Sequence, residues 1–185
     1  MKKAIGISLP HADAPFFRGL HILVALMILA QIINSNFTER KALDEQGLTT
    51  IITCLHVISG FSLIILGVIM LGWMFKQRGT KFYFSWLHFD FSGIAQDIAT
   101  LKRLRLPEAH SGGIAATIQG LGVLSLLAVA LSGGIWFLLN AAQNPLAHSV
   151  MHWHKTLTTF IEIYFFAHGA MGLLHMLLNN KFFQH

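Results

Sequence analysis

Eleven histidines in 185 residues raise the first chemical question. Imidazole binds iron, zinc and copper, and it also carries protons near neutral pH. Five of these residues, His21, His56, His154, His168 and His175, fall inside or at the edge of long apolar runs. A ligating or ionisable side chain placed there must have its polar edge satisfied where water is scarce, so each is a candidate for function. His154 and His168 are 14 residues apart. In a helix that is a rise of about 21 Å, with the two side chains within about 40° of one face. One helix can therefore offer two ligands at two depths. His56 matches the depth of His154, and His21 matches that of His168, which gives two cross-helix pairs. Paired imidazoles on facing helices are how non-covalent b-type heme is held, with iron six-coordinate. Iron filled on both axial sides has no place for oxygen or substrate, and it favours electron transfer.

Other residues qualify this reading. His175 lies seven residues past His168 on nearly the same face, and it could replace His168 or bond a heme propionate. Arg18, one turn before His21, could neutralise a propionate or anchor to lipid headgroups. Gly60, Gly169 and Gly172 would let a porphyrin approach the backbone, or serve ordinary helix packing. Glu162 is the only acidic residue within a span; it is either a protonated hydrogen-bonding group or a proton acceptor. The single cysteine, Cys54, excludes a disulfide framework, a cysteine zinc site and covalent C-x-x-C-H heme attachment, and it is read as packing. His148, His152 and His154 resemble part of a surface zinc site, but no fourth ligand is evident. His11, His88, His110 and His185 receive no role. No phosphate-binding, dinucleotide or nucleophile-elbow fingerprint occurs in its required context.

These residues need elements to position them, and the composition says which. Hydrophobic residues make up 54% of the chain and charged residues 11%, with a mean hydropathy of +0.60. A soluble domain carries about 25% charged residues, so a soluble globule and a disordered chain are both excluded. Four apolar runs are long enough to cross a hydrocarbon core, at about 16–34, 48–75, 112–140 and 152–178. The four prolines all lie outside them. The first run lacks a signal-peptide cleavage pattern. Ten Lys and Arg fall on the side of the termini and the second connection, against Arg40, Lys41 and Lys155 on the other. That excess predicts cytoplasmic termini in a bacterial inner membrane. The charge is thus membrane-loop charge, with no nucleic-acid partner implied. In the long second connection Leu87, Phe91, Ile94, Ile98 and Leu101 recur at helical spacing, while Asp90, Gln96, Asp97, Lys102 and Arg103 lie off that stripe. A helix over about 86–104 is expected, either lying in the membrane interface or docking a partner subunit. The fold class is all-α: an integral membrane four-helix bundle, a single domain over 1–185, with this extra amphipathic helix between spans two and three.

The last span, His154-Lys-Thr-Leu through His168-Gly-Ala-Met-Gly-Leu-Leu-His175, resembles the final helix of the bacterial cytochrome b561 family. Leu55-His56-Val-Ile-Ser-Gly60 resembles its H-x-x-x-G helix, and Arg18-Gly-Leu-His21 its R-x-x-H opening. The resemblance implies two heme b groups, one on His21 and His168, the other on His56 and His154, and it favours His168 over His175. It also implies membrane quinone as a substrate and a periplasmic cytochrome or dehydrogenase as partner, with quinol oxidation as the expected direction. A homodimer is left open. Stand-alone members often carry a histidine pair at the start of helix three, where this chain has only His110. That departure weighs against small-molecule activities such as superoxide oxidation. The rival from another class is a metal-binding or proton-carrying transporter, for which broken helices and internal repeats would be expected.

Overall fold

The computed structural model describes residues 14–38, 47–107 and 109–179, the side chains of 175, 176, 178 and 179 excepted. Described residues form helices and turns, with no strand among them. The helices are α1 (Pro15–Ser35), α2 (Leu48–Arg78), the short α3 (Thr80–Tyr83), α4 (Ser92–Lys102), α5 (Ile114–Ala141) and α6 (Leu146–Asn179). α1, α2, α5 and α6 are long and apolar enough to cross a membrane, and they form an all-α membrane bundle. Their surfaces expose Leu26, Ile65, Leu138 and Phe166. Such continuous apolar exposure is tolerable when hydrocarbon is the solvent, because helices satisfy their own backbone groups.

Each helix end has a local cause. Pro15 opens α1, where the missing N–H costs nothing. Gly79, at φ 73°, stops α2 after Lys76 and Arg78, whose charges suit the negative end of the helix dipole. α6 begins before the apolar run expected from 152. Asn144 Oδ1 accepts the Leu146 N–H at 2.9 Å, and Pro145 precedes it, so an N-cap followed by proline starts the helix. His148 and His152 therefore sit on the first turns of α6, both exposed.

α5 is the central strut. It packs against α2 on one side and α6 on the other, while α1 packs on α2. Ala116, Val123, Leu126, Val129 and Ala130 of α5 are buried against Leu63, Met70 and Met74 of α2, Leu20 and Val24 of α1 and Ile161 of α6. Small residues bring the helices together. An added Cβ at Gly67 would stand 2.8 Å from Leu127 Cδ2, and at Gly120 it would stand 2.8 Å from the Phe84 ring. α1 and α6 do not pack closely, nor do α2 and α6.

The second connection holds the expected helix in shorter form, with an unexpected inward face. A 3₁₀ turn over Ser85–His88 ends at Phe89 in the left-handed region (φ 56°), and α4 follows. Leu87, Phe91, Ile98 and Leu101 all point away from the bundle, the direction lipid would occupy. Asp97, read from sequence merely as off the stripe, is 2% exposed. Its Oδ2 accepts the Ile114 N–H at 2.7 Å, and its Oδ1 lies 2.7 Å from His110 Nε2. The carboxylate thus caps the positive end of α5 from another helix. Gly93 and Gly112 permit the approach, since a Cβ on Gly93 would stand 2.6 Å from the Gly112 carbonyl. Asp97 first, then the Ser111 carbonyl, raise the pKa of His110 above the ordinary histidine value.

A raised folded-state pKa contributes stability that is fully present below the unfolded histidine value and is lost as pH rises through the raised one. Deuterium exchange across residues 85–113 should therefore be slower at mildly acidic than at alkaline pH, after correction for intrinsic rates. Asp97→Ala should remove that pH dependence, leave the Ile114 N–H unpartnered and cost about 1–3 kcal/mol, measured as a lower thermal midpoint. Equal exchange at both pH values in the wild type would refute the clasp.

Candidate functional site

The structure brings four of the sequence-selected histidines together as two pairs, each bridging helices that do not pack closely. His21 of α1 and His168 of α6 meet with ring centroids 6.0 Å apart and planes at 85°. His56 of α2 and His154 of α6 line one cavity of about 440 Å³. α6 thus presents His154 and His168 to two different places, as the 14-residue spacing requires.

The His56/His154 cavity lies on the side of the short loops and is walled by all four long helices. α1 contributes Ile28, Gln31 and Ile32; α2 contributes Gly60 and Phe61; α5 contributes Val129, Gly133 and Gly134. It is largely apolar with a few convergent polar groups, the usual character of a cofactor site. Gly133 allows His154 its place, because an added Cβ would stand 2.9 Å from His154 Cε1. Both rings are held through Nδ1. His56 Nδ1 lies 2.7 Å from Asn34 Oδ1. His154 Nδ1 lies 3.1 Å from the Val129 carbonyl and 3.0 Å from Ser132 Oγ, whose hydroxyl also donates to Val129 O at 2.8 Å. A carbonyl can only accept, so the proton of His154 is on Nδ1 and its Nε2 carries a lone pair.

At the other site aromatic rings flank the imidazoles. Phe17 lies parallel to His21 at 6.5 Å, and Tyr164 stacks on His168 at 5.2 Å with planes 11° apart. Tyr164 gains its position from Gly122 of α5, where an added Cβ would clash with the Cζ and hydroxyl of the phenol.

Among the remaining candidates, Arg18 is half-buried one turn before His21. The side chain of His175 lies outside the described residues, as do His11 and His185. Glu162 lines the His56/His154 cavity together with Lys155 and Thr158. Gly60 also lines it, whereas Gly169 and Gly172 have open space where a Cβ would go. Cys54 is a half-buried free thiol. Sequence reasoning missed Asn34, Ser132, Gln31 and Tyr164. Gln31 and Asn34 carried a signal: they are polar, three residues apart and near the end of an apolar run, so they share a helix face. Ser132-Gly133-Gly134 marked a small-residue segment within span three.

Four long apolar helices with histidines paired at two depths define the class, an all-α membrane protein. The family model for prokaryotic cytochrome b561 matches residues 14–183, nearly the whole chain. No curated protein and no solved structure matches it significantly. The chain belongs to the prokaryotic cytochrome b561 family: it is a multi-pass bacterial membrane cytochrome of b type, concerned with electron transfer.

Gly122→Ala tests how the second site is built. Its methyl group must displace the Tyr164 ring, and overpacking of this kind costs about 1–3 kcal/mol. The expected outcome is a lower thermal midpoint, with the loss reduced in Gly122→Ala combined with Tyr164→Leu. A wild-type midpoint in the single variant would show that α5 and α6 are looser there than described.

Proposed function

We propose that this chain is a diheme cytochrome in which His21 and His168 hold one heme b, and His56 and His154 hold the other. The observation that carries the reading is that each pair reaches across a seam where the helices themselves stay apart. A planar macrocycle needs such a seam. Metal–imidazole distances of about 2 Å on each side of an iron separate the two ring centroids by roughly 6 Å. The 6.0 Å between His21 and His168 fits that requirement. At the other pair, Nδ1 hydrogen bonding leaves Nε2 for a metal, the arrangement expected of ligating histidines. The wall glycines Gly60 and Gly133 keep side-chain bulk out of the cavity.

When bound, each heme would supply one-electron ferric–ferrous chemistry, with His21 and His168 holding one and His56 and His154 the other. The chain's own work is to fix ligand geometry, exclude water and set the local dielectric. α6, carrying one ligand for each site, keeps the two at a fixed separation along the bilayer normal. Arg18 places a cation one turn from His21, suited to a heme propionate. The physiological reaction we assign is oxidation of membrane quinol, with electrons leaving from the His56/His154 side to a periplasmic cytochrome or dehydrogenase partner. The Lys and Arg distribution, which favours cytoplasmic termini and periplasmic short loops, supports that polarity. The chain then acts as an electron-transfer subunit or as a minimal quinol:acceptor oxidoreductase. Glu162 stands in the wall of the outward cavity as a candidate proton acceptor.

The test is the oxidised and reduced spectrum of the full chain purified in detergent after expression with ample heme. Two low-spin b hemes per chain are expected. His56→Ala and His154→Ala should each remove one, and His21→Ala and His168→Ala the other. A heme-free wild type overturns the reading. In native membranes a short-chain quinol should reduce both hemes within the turnover time of a quinol oxidase. Hemes that respond to dithionite but not to quinol would leave the diheme scaffold and remove quinol as donor.

A further inference from the structure

The two histidines of the outward cavity are held by different means. The Nδ1 proton of His154 is fixed by a main-chain carbonyl of α5, which no substitution can remove. That of His56 is fixed by one side chain, Asn34, from another helix. A neutral imidazole has one N–H and one lone pair, and the partner at one nitrogen decides which atom has which. Asn34 Oδ1, 2.7 Å from Nδ1, takes the proton there and leaves the lone pair on Nε2. Gln31, one turn earlier on α1, braces the same spot: its Nε2 donates to the His56 carbonyl at 2.8 Å and to Ser59 Oγ at 3.1 Å. The end of α1 therefore grips His56 by backbone and by ring.

We propose that Asn34 is a positioning residue that sets the tautomer and the donor strength of His56, and through them the reduction potential of the outward heme. This rests on the diheme assignment. A hydrogen bond from the distal ring N–H to an oxygen makes the ligating nitrogen more basic, and a more basic ligand favours ferric over ferrous iron. The stronger the acceptor at position 34, the lower the potential of that site. Asn34 supplies a neutral amide oxygen of intermediate strength, so both directions are open to substitution.

The experiment is a potentiometric titration of the two heme bands, with EPR of the oxidised state, on wild type, Asn34→Asp and Asn34→Leu. The outward heme is identified as the one missing from His56→Ala. Asn34→Asp, a carboxylate acceptor, should lower the outward potential, and its EPR should move toward stronger axial donation. Asn34→Leu, with no acceptor, should raise that potential or lose that heme alone. The inward heme should keep its potential in both. Unchanged outward potentials, or shifts of the same sign in both variants, overturn the proposal. So does loss of the heme from Asn34→Asp and Asn34→Leu alike, which would make Asn34 merely structural. If His56→Ala retains the wild-type heme content, it is the diheme assignment that fails, and the Asn34 proposal falls with it.

Discussion

An imidazole placed within a bilayer has to find its partners inside the protein, and much of the architecture follows from that demand. At the His56/His154 pair Asn34, Ser132 and the Val129 carbonyl meet it through Nδ1. At the His21/His168 pair Phe17 and Tyr164 cover the rings. The demand also sets the helix spacing. α5 grips α2 and α6, and α1 grips α2, but the helix pairs that carry the facing histidines are left apart. Close packing everywhere would have filled the seams with side chains and left no room for a planar cofactor.

Glycine controls both halves of that arrangement. Gly67 and Gly120 draw α2 and the α3 region onto α5, and Gly122 admits the Tyr164 ring that stacks on His168. Gly133 keeps the wall beside His154 clear. In a membrane, where apolar side chains gain little by leaving lipid, such close contacts and a few buried hydrogen bonds must supply the specificity. Asp97 is the clearest case of the latter. It spends a buried carboxylate on the α5 N-terminus and on His110, which ties α4 to the central strut.

The second connection shows why an amphipathic pattern is ambiguous in a membrane protein. In water the apolar stripe of such a helix would turn inward. Here Leu87, Phe91, Ile98 and Leu101 face out, and Asp97 faces the bundle. The pattern announces two faces, while the solvent decides which is inside.

Much of the bundle was legible in the residues. Span number and the two histidine depths followed from apolar run length and from helical rise, both of which are local properties of a chain in hydrocarbon. The start of α6 was legible too, in Asn144-Pro145, though the hydropathy of the segment behind it hid the signal. What the sequence could not decide were relations between helices. That Asn34 of α1 holds His56 of α2, that Gly122 makes room for Tyr164, and that Asp97 caps a helix 17 residues further on all depend on rotation and crossing of packed helices. Rise along a helix axis is fixed by the backbone, so depth can be counted. Rotation about that axis is fixed by side chains meeting across an interface, so only the folded bundle could decide it.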